Sequence, residues 1–258
     1  MNQDRLFYYS SIGSSHVRND IPCQDSSKVV YRKDIYFGCI SDGAGSAKYA
    51  RLASRDTVNH AIKYLRVLYF SKYFQNKLSL YFEYQDTSII QCFRDFLESC
   101  YYKIRCSSVR RKHSIKDYSC TLLGFIKHPN WTITFQLGDG FIVSRTLEEY
   151  QLHFIPAKGE YKNSTYFTNS VQRQEKFQVK IIKQPIKFLC CSSDGMENLA
   201  LYKGQIFKPF FKSIEANFSM DEDEPIIYNS FEKWLDKDEK VNTKTGDDKS
   251  LILLKCNG

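Results

Sequence analysis

Ser119-Cys-Thr-Leu-Leu-Gly-Phe-Ile-Lys127 and Trp131-Thr-Ile-Thr-Phe-Gln-Leu-Gly-Asp-Gly-Phe-Ile-Val-Ser-Arg145 flank the turn sequence His128-Pro129-Asn130. Both flanks are rich in β-branched and aromatic residues, and proline followed by asparagine favours a reversal of the chain. The spacing predicts an antiparallel hairpin. Such a pairing argues against a doubly wound parallel sheet and points to an α+β class.

Upstream, Ile35-Tyr-Phe-Gly-Cys-Ile-Ser41 is a short apolar run that delivers Asp42. Behind it, over 47–70, Ala50, Ala53, Val58, Ala61, Ile62, Leu65 and Leu68 recur at near-helical spacing and mark one buried stripe. A second helix is predicted over about 87–107, capped by Asp86, Thr87 or Ser88 and buried through Ile90, Phe93, Leu97, Tyr101 and Ile104. These two helices should pack as neighbours. Downstream, 146–186 reads as shorter strands and loops, and 186–193 as a buried strand leading to Asp194. The acidic run Asp221-Glu-Asp-Glu224 reads as a solvated loop ahead of a helix around 227–235, and 250–255 as the last strand. No repeat or low-complexity linker divides the chain, so one domain over 1–258 is expected.

Composition bounds what this domain can be. The chain has 258 residues, 42% of them hydrophobic and 15% aromatic, enough for a substantial core. No apolar run approaches the roughly 18 residues of a membrane span, and Asp4 and Arg5 stand where a secretory leader would be apolar. A soluble, cytoplasmic protein is expected. Nine cysteines form no CxxC pair, and Cys39, Cys120, Cys190 and Cys191 lie in apolar runs as buried free thiols rather than as disulfides, zinc ligands or nucleophiles. The net charge of +8 is spread along the chain, and its densest basic cluster, Arg110 to His113, follows a helix end favoured by the dipole. Nucleic acid is therefore a weak candidate partner.

Four aspartates adjoin apolar runs in sharp-turn contexts: Asp42, Asp139 and Asp194 are each followed by glycine, and Asp247 lies in Gly-Asp-Asp-Lys-Ser. A strand ending in Asp-Gly aims a carboxylate off the sheet rim while glycine lets the backbone bend back, exposing a carbonyl oxygen beside it. Hard divalent cations take such oxygens. The same dipeptide is also a favoured hairpin turn, and three copies against about one expected by chance is a modest excess. The order of the motifs has to decide.

That order resembles the metal-dependent serine/threonine protein phosphatases of the type 2C class over nearly the whole chain. Arg18-Asn-Asp-Ile-Pro-Cys-Gln-Asp25 is similar to the family's opening motif, and Ile40-Ser-Asp-Gly-Ala-Gly-Ser46 to its Asp-Gly turn after an apolar strand. Gly138-Asp-Gly140, Ser193-Asp-Gly-Met196 and Asp247-Asp-Lys-Ser-Leu-Ile-Leu-Leu254 follow in the family's order. The opening, with Gly13-Ser-Ser-His16 and Pro22-Cys-Gln-Asp25, looks closest to a divergent, mainly bacterial branch.

The resemblance implies an α-β-β-α sandwich of two antiparallel sheets flanked by helices, and hydrolysis of phosphoserine and phosphothreonine by a hydroxide shared between two magnesium or manganese ions. By similarity Asp42 would bridge both ions, the Gly43 carbonyl would complete one shell, and Asp194 and Asp247 would hold the other. Asp25 would act directly or through water, and Asp139 would share a weaker third ion with Asp194. Arg18 would grip the phosphate, ahead of Arg51 and Lys48. The implied partners are a phosphorylated protein and a cognate serine/threonine kinase. The chain also departs from the family pattern. The gap from Arg18 to Asp25 is longer than in the commoner motif, Gln24 replaces a frequent acidic residue, and Asn198, beside Glu197, stands where a second acidic residue is frequent. Ala44 stands where animal-type members carry a histidine, which leaves His16 or metal-bound water to protonate the leaving group. These departures keep two alternatives open: a phosphatase-like sensor or binding module of little turnover, and a phosphatase of a small phosphate ester.

Overall fold

A computed structural model describes residues 4–147, 149–156, 165–218, 224–237 and 245–256. The chain opens with β1 (Arg5–Ser11), a single turn α1 (Ser14–Arg18), β2 (Ser26–Arg32) and β3 (Ile35–Ser41), then three helices, α2 (Ala50–Tyr69), α3 (Lys72–Tyr84) and α4 (Ile89–Arg110). Strands β4 (Leu122–His128), β5 (Trp131–Leu137), β6 (Phe141–Arg145) and β7 (Tyr150–Leu152) follow, then α5 (Arg173–Lys176), β8 (Gln178–Ile182) and β9 (Phe188–Ser192). The chain closes with α6 (Glu197–Ala200), the short pair β10 (Leu201–Tyr202) and β11 (Gln205–Ile206), α7 (Lys208–Asn217), α8 (Glu224–Lys237) and β12 (Lys249–Lys255).

The strands form two antiparallel five-stranded sheets, ordered β1-β12-β9-β6-β7 and β2-β3-β4-β5-β8. Three apolar layers follow from strand alternation. On β3, Ile35, Phe37 and Cys39 face α2, α3 and α4, whereas Tyr36 and Ile40 face the other sheet. On β9 and β12, Cys190, Leu251 and Leu253 face α7 and α8, whereas Leu189, Cys191, Ile252 and Leu254 meet Ile40 and Phe125 between the sheets. Burial on both faces explains why these strands read as continuous apolar runs. The layering is α-β-β-α.

The antiparallel hairpin at 128–131 and the packing of α2 against α4 are as the sequence predicts. Cys39, Cys120, Cys190 and Cys191 are buried free thiols. Among the described residues no helix is long and apolar enough to cross a membrane.

Besides elements the sequence reading did not place, such as β1, α1, β2 and α7, two departures from expectation stand out. The single strand over 131–145 is two strands on different sheets, because Gly138, at φ 116°, turns the chain out of β5 and into β6. Helix α3 was not expected at all: Ser71 caps it by accepting a hydrogen bond from Phe74 N–H, and only Phe74 and Leu78 are buried, too narrow a stripe to stand out. Of the acidic run, Asp221, Glu222 and Asp223 lie outside the described residues.

Candidate functional site

Asp42 leaves the end of β3 on a loop fastened to the entry of β4. Asp42 N–H donates to Thr121 Oγ1 at 3.0 Å, Thr121 N–H returns to the Asp42 carbonyl at 2.8 Å, and Ser41 Oγ donates to the Thr121 carbonyl at 2.6 Å. Gly43 then bridges to Cys120. Asp139 sits on the crossing between sheets, where the Gln136 side-chain amide donates to the carbonyls of Gly138 (3.2 Å) and Gly140 (2.7 Å).

Asp194 follows β9 at the same rim. A Cβ on the next residue, Gly195, would stand 1.9 Å from the Asp248 carbonyl oxygen, so only glycine lets this turn press against the start of β12. Ser193 Oγ donates to Asp25 Oδ2 at 2.7 Å and accepts Ser250 N–H at 2.9 Å, which ties Asp25 to β9 and β12 of the first sheet.

These turns open on a cleft of about 850 Å³ lined by Asp42, Gly43, Asp139, Asp194 and Asp247, together with His16, Glu197 and Asn198. Asp42, Asp139 and Asp194 each present a carboxylate oxygen within 4.8 Å of the others. Asp25 is buried behind them with its carboxyl against Asp42. Burial pushes Asp25 up to about 7, with the Ser193 hydroxyl pulling it back and the Asp248 charge raising it further. Burial, then the charges of Asp139, Asp247 and Asp25, raise Asp194 to about 8. Asp42 is raised well above the usual carboxylate range by burial and then by Asp25 and Asp194.

Carboxyls that crowd and desolvate one another in this way are what a divalent cation would relieve. Asp25 Oδ1 and Asp194 Oδ1 are buried with no hydrogen-bond donor among the described residues. The donors that converge in the cluster, from Asp42, Asp139 and Asp194, are carboxylate oxygens, a set that suits magnesium or manganese rather than zinc. The residues present fit such ions.

The structure thus brings together Asp25, Asp42, Gly43, Asp139, Asp194 and Asp247. It does not bring Arg18. His16 lines the cleft from α1, and two positions further along a helix is about 200° of rotation, so Arg18 is exposed and outside the cleft lining. Lys48 and Arg51, the other phosphate candidates, are likewise exposed and outside the lining. Sequence reasoning missed Ser193 and Asp248. Asp248 Oδ1 accepts Gly13 N–H and Oδ2 accepts Gln24 N–H, each at 2.6 Å. His16 Nδ1 lies 2.9 Å from the same Oδ2, at ion-pair distance but without hydrogen-bond alignment. The doubled Asp247-Asp248 was the available signal for a second role at this turn.

Comparison with known proteins agrees with this architecture. The family model described as "Protein phosphatase 2C" matches residues 12–236. Serine/threonine-protein phosphatase 3 of Escherichia coli (strain K12) is 26% identical over 260 aligned residues, covering 96% of this chain and 97% of the relative. The solved S. agalactiae serine/threonine phosphatase matches with a TM-score of 0.64 at 15% identity, over 99% of this chain and 100% of the other. PppA of Pseudomonas aeruginosa, titled a key regulatory component of T6SS, matches with a TM-score of 0.65 at 12% identity, over 98% of each chain. At these identities the solved structures share the fold.

Proposed function

The chain belongs to the protein phosphatase 2C family, and from that premise we propose that it is a metal-dependent phosphoprotein phosphatase, acting as one domain over 1–258 on phosphoserine and phosphothreonine. The observation that carries the proposal is the convergence of Asp42, Asp139 and Asp194 within 4.8 Å, with Asp247 on the same cleft. Two magnesium or manganese ions would be shared by Asp42, with the Gly43 carbonyl on one side and Asp194 and Asp247 on the other. Asp25 would act directly or through water, and Asp139 would join Asp194 at a third ion. Bound there, the ions would supply a nucleophile from water at neutral pH and neutralise the phosphoryl charge.

The chain's own groups set the stage. Ser193 fixes one oxygen of Asp25 and leaves Oδ1 for the cleft. Thr121 and Gln136 hold the turns that carry Asp42 and Asp139. Substrate would enter as a phosphorylated segment of another protein, supplied by a cognate serine/threonine kinase. The name of the E. coli relative favours this substrate class over a small phosphate ester.

The test is p-nitrophenyl phosphate hydrolysis with manganese, magnesium or chelator, with Asp42→Asn and Asp194→Asn as variants that keep shape and remove charge. Turnover that needs metal and is lost in both variants supports the hydrolase, and phosphopeptides then define the substrate. Metal binding without turnover would replace it by a sensor module, and absence of metal binding would remove the site.

A further inference from the structure

A phosphate ester entering this cleft meets Asp42, Asp139, Asp194, Asp247 and Glu197, and among the described lining residues it meets one basic side chain, His16. Even with cations bound to the carboxylates, a phosphoryl dianion gains from a directed N–H donor on the protein. The resemblance gives that part to Arg18, which is exposed outside the lining. We infer that His16, oriented by Asp248, is the residue that binds the phosphoryl oxygen of the substrate. This inference rests on the phosphatase reading of the same site.

The geometry supports His16 through its partner. Asp248 is almost wholly buried, its side chain 2% exposed against 13% for His16. Two backbone N–H groups from separate segments, at Gly13 and Gln24, hold its two oxygens at 2.6 Å each. A carboxylate pinned in this way cannot follow the ring, so the ring must settle on it, with Nδ1 2.9 Å from Oδ2. Nε2, on the other side of the imidazole, is then the nitrogen with which His16 can serve the cleft it lines. Nε2, carrying a proton, donates to an anion, while Nδ1 keeps its place beside the Asp248 carboxylate. A donor fixed before the ligand arrives loses little freedom on binding, which a long exposed arginine would lose in full.

The experiment measures two quantities on the manganese-loaded protein: the affinity for inorganic phosphate by calorimetry, and KM and kcat for p-nitrophenyl phosphate and for a phosphoserine peptide. His16→Ala should weaken phosphate binding and raise KM by about 10- to 100-fold, the range for losing a hydrogen bond to a charged group. His16→Arg should recover most of the loss, Asp248→Asn should show a smaller loss of the same kind, and Arg18→Ala should shift phosphate affinity by less than about twofold. Melting curves accompany each variant, and His16→Gln serves if the alanine variant does not fold.

Unchanged phosphate affinity in a folded His16 variant would overturn the inference, as would transfer of the whole effect to Arg18→Ala. So would a kcat loss confined to the phosphoserine peptide, which would make His16 the proton donor to the leaving group. A wild-type protein that binds phosphate without turnover would remove the hydrolase reading and leave the His16 comparison intact. A metal-loaded wild type that does not bind phosphate at all would overturn both.

Discussion

Ser193 Oγ donates a 2.7 Å hydrogen bond to Asp25 Oδ2 and accepts the backbone N–H of Ser250, so one hydroxyl joins the N-terminal carboxylate to β9 and β12, the strands beside Asp194 and Asp247. Ser193→Ala would leave a buried carboxyl oxygen and a buried N–H without this partner. The expected result is a loss of about 1–3 kcal/mol in stability and a weaker affinity for manganese, with Asp25 no longer held in place. Chemical denaturation with and without metal separates the two effects. Unchanged metal affinity would show that Asp25 is placed by packing alone.

Gly195→Ala would put a Cβ 1.9 Å from the Asp248 carbonyl oxygen, a contact with backbone that no side-chain movement relieves. The turn and β12 must part, at a cost of more than about 2 kcal/mol. Asp194 moves with the turn and Asp248 with the strand, so metal binding and the seat of His16 should both suffer. A variant with wild-type melting and wild-type metal affinity would contradict this close approach.

Divalent metal should stabilise the protein by relieving crowded carboxyls. At a free concentration a hundred times Kd the gain is about 2.7 kcal/mol, reversed by chelator. Asp194→Asn should lose this gain while melting higher than wild type without metal, because one of the mutually repelling carboxylates is gone. Differential scanning fluorimetry over a manganese series reads both, and a metal-free variant melting below wild type would contradict the repulsion.

His153 makes a pH prediction away from the cleft. Its ring lies between the sheets, with Nδ1 2.8 Å from Thr134 Oγ1 on β5 and Nε2 2.7 Å from Ser144 Oγ on β6. Burial, aided by Lys180, lowers it from 6.5 to about 3. The folded ring stays neutral where the unfolded one gains a proton, so this contribution is complete above pH 6.5 and is lost as pH falls from there toward 3. Well below pH 6.5 the slope is about 1.4 kcal/mol per pH unit. His153→Gln should flatten it in denaturation curves taken from pH 7 to pH 4, and an equal slope in the variant would assign the acid sensitivity elsewhere.

The sequence made the strands legible because residues such as Phe37, Ile40, Cys190 and Ile252 are apolar on both faces, and that pattern survives without the fold. The carboxylates were legible because Asp-Gly marks a strand end wherever it lies. Helix α3 was not, since two buried residues carry little periodicity. Nor was the orientation of α1. His16 and Arg18 are two residues apart, and which of them faces the cleft depends on where Asp248, more than two hundred positions away, anchors the turn. A family motif names residue types, whereas each residue of shift along a helix turns the side chain by about 100°. Ser193 was hidden for a similar reason: its partner Asp25 is near only in the folded chain.

The crossing at Gly138 carries a further consequence. Asp42 and Asp139 leave strands of one sheet, whereas Asp194 and Asp247 adjoin strands of the other. The gap between the carboxylates is therefore gauged by Ile40, Leu123, Phe125, Ile142, Leu189 and Ile252, the side chains that keep the sheets apart. A small ion that demands near-ideal geometry and a larger, more tolerant one would read that gap differently. On the metal-site reading, the thickness of the middle layer would act as a caliper for ion choice, and a single methylene added or removed there, with no charge altered and nothing in the cleft touched, would retune which metal the protein prefers.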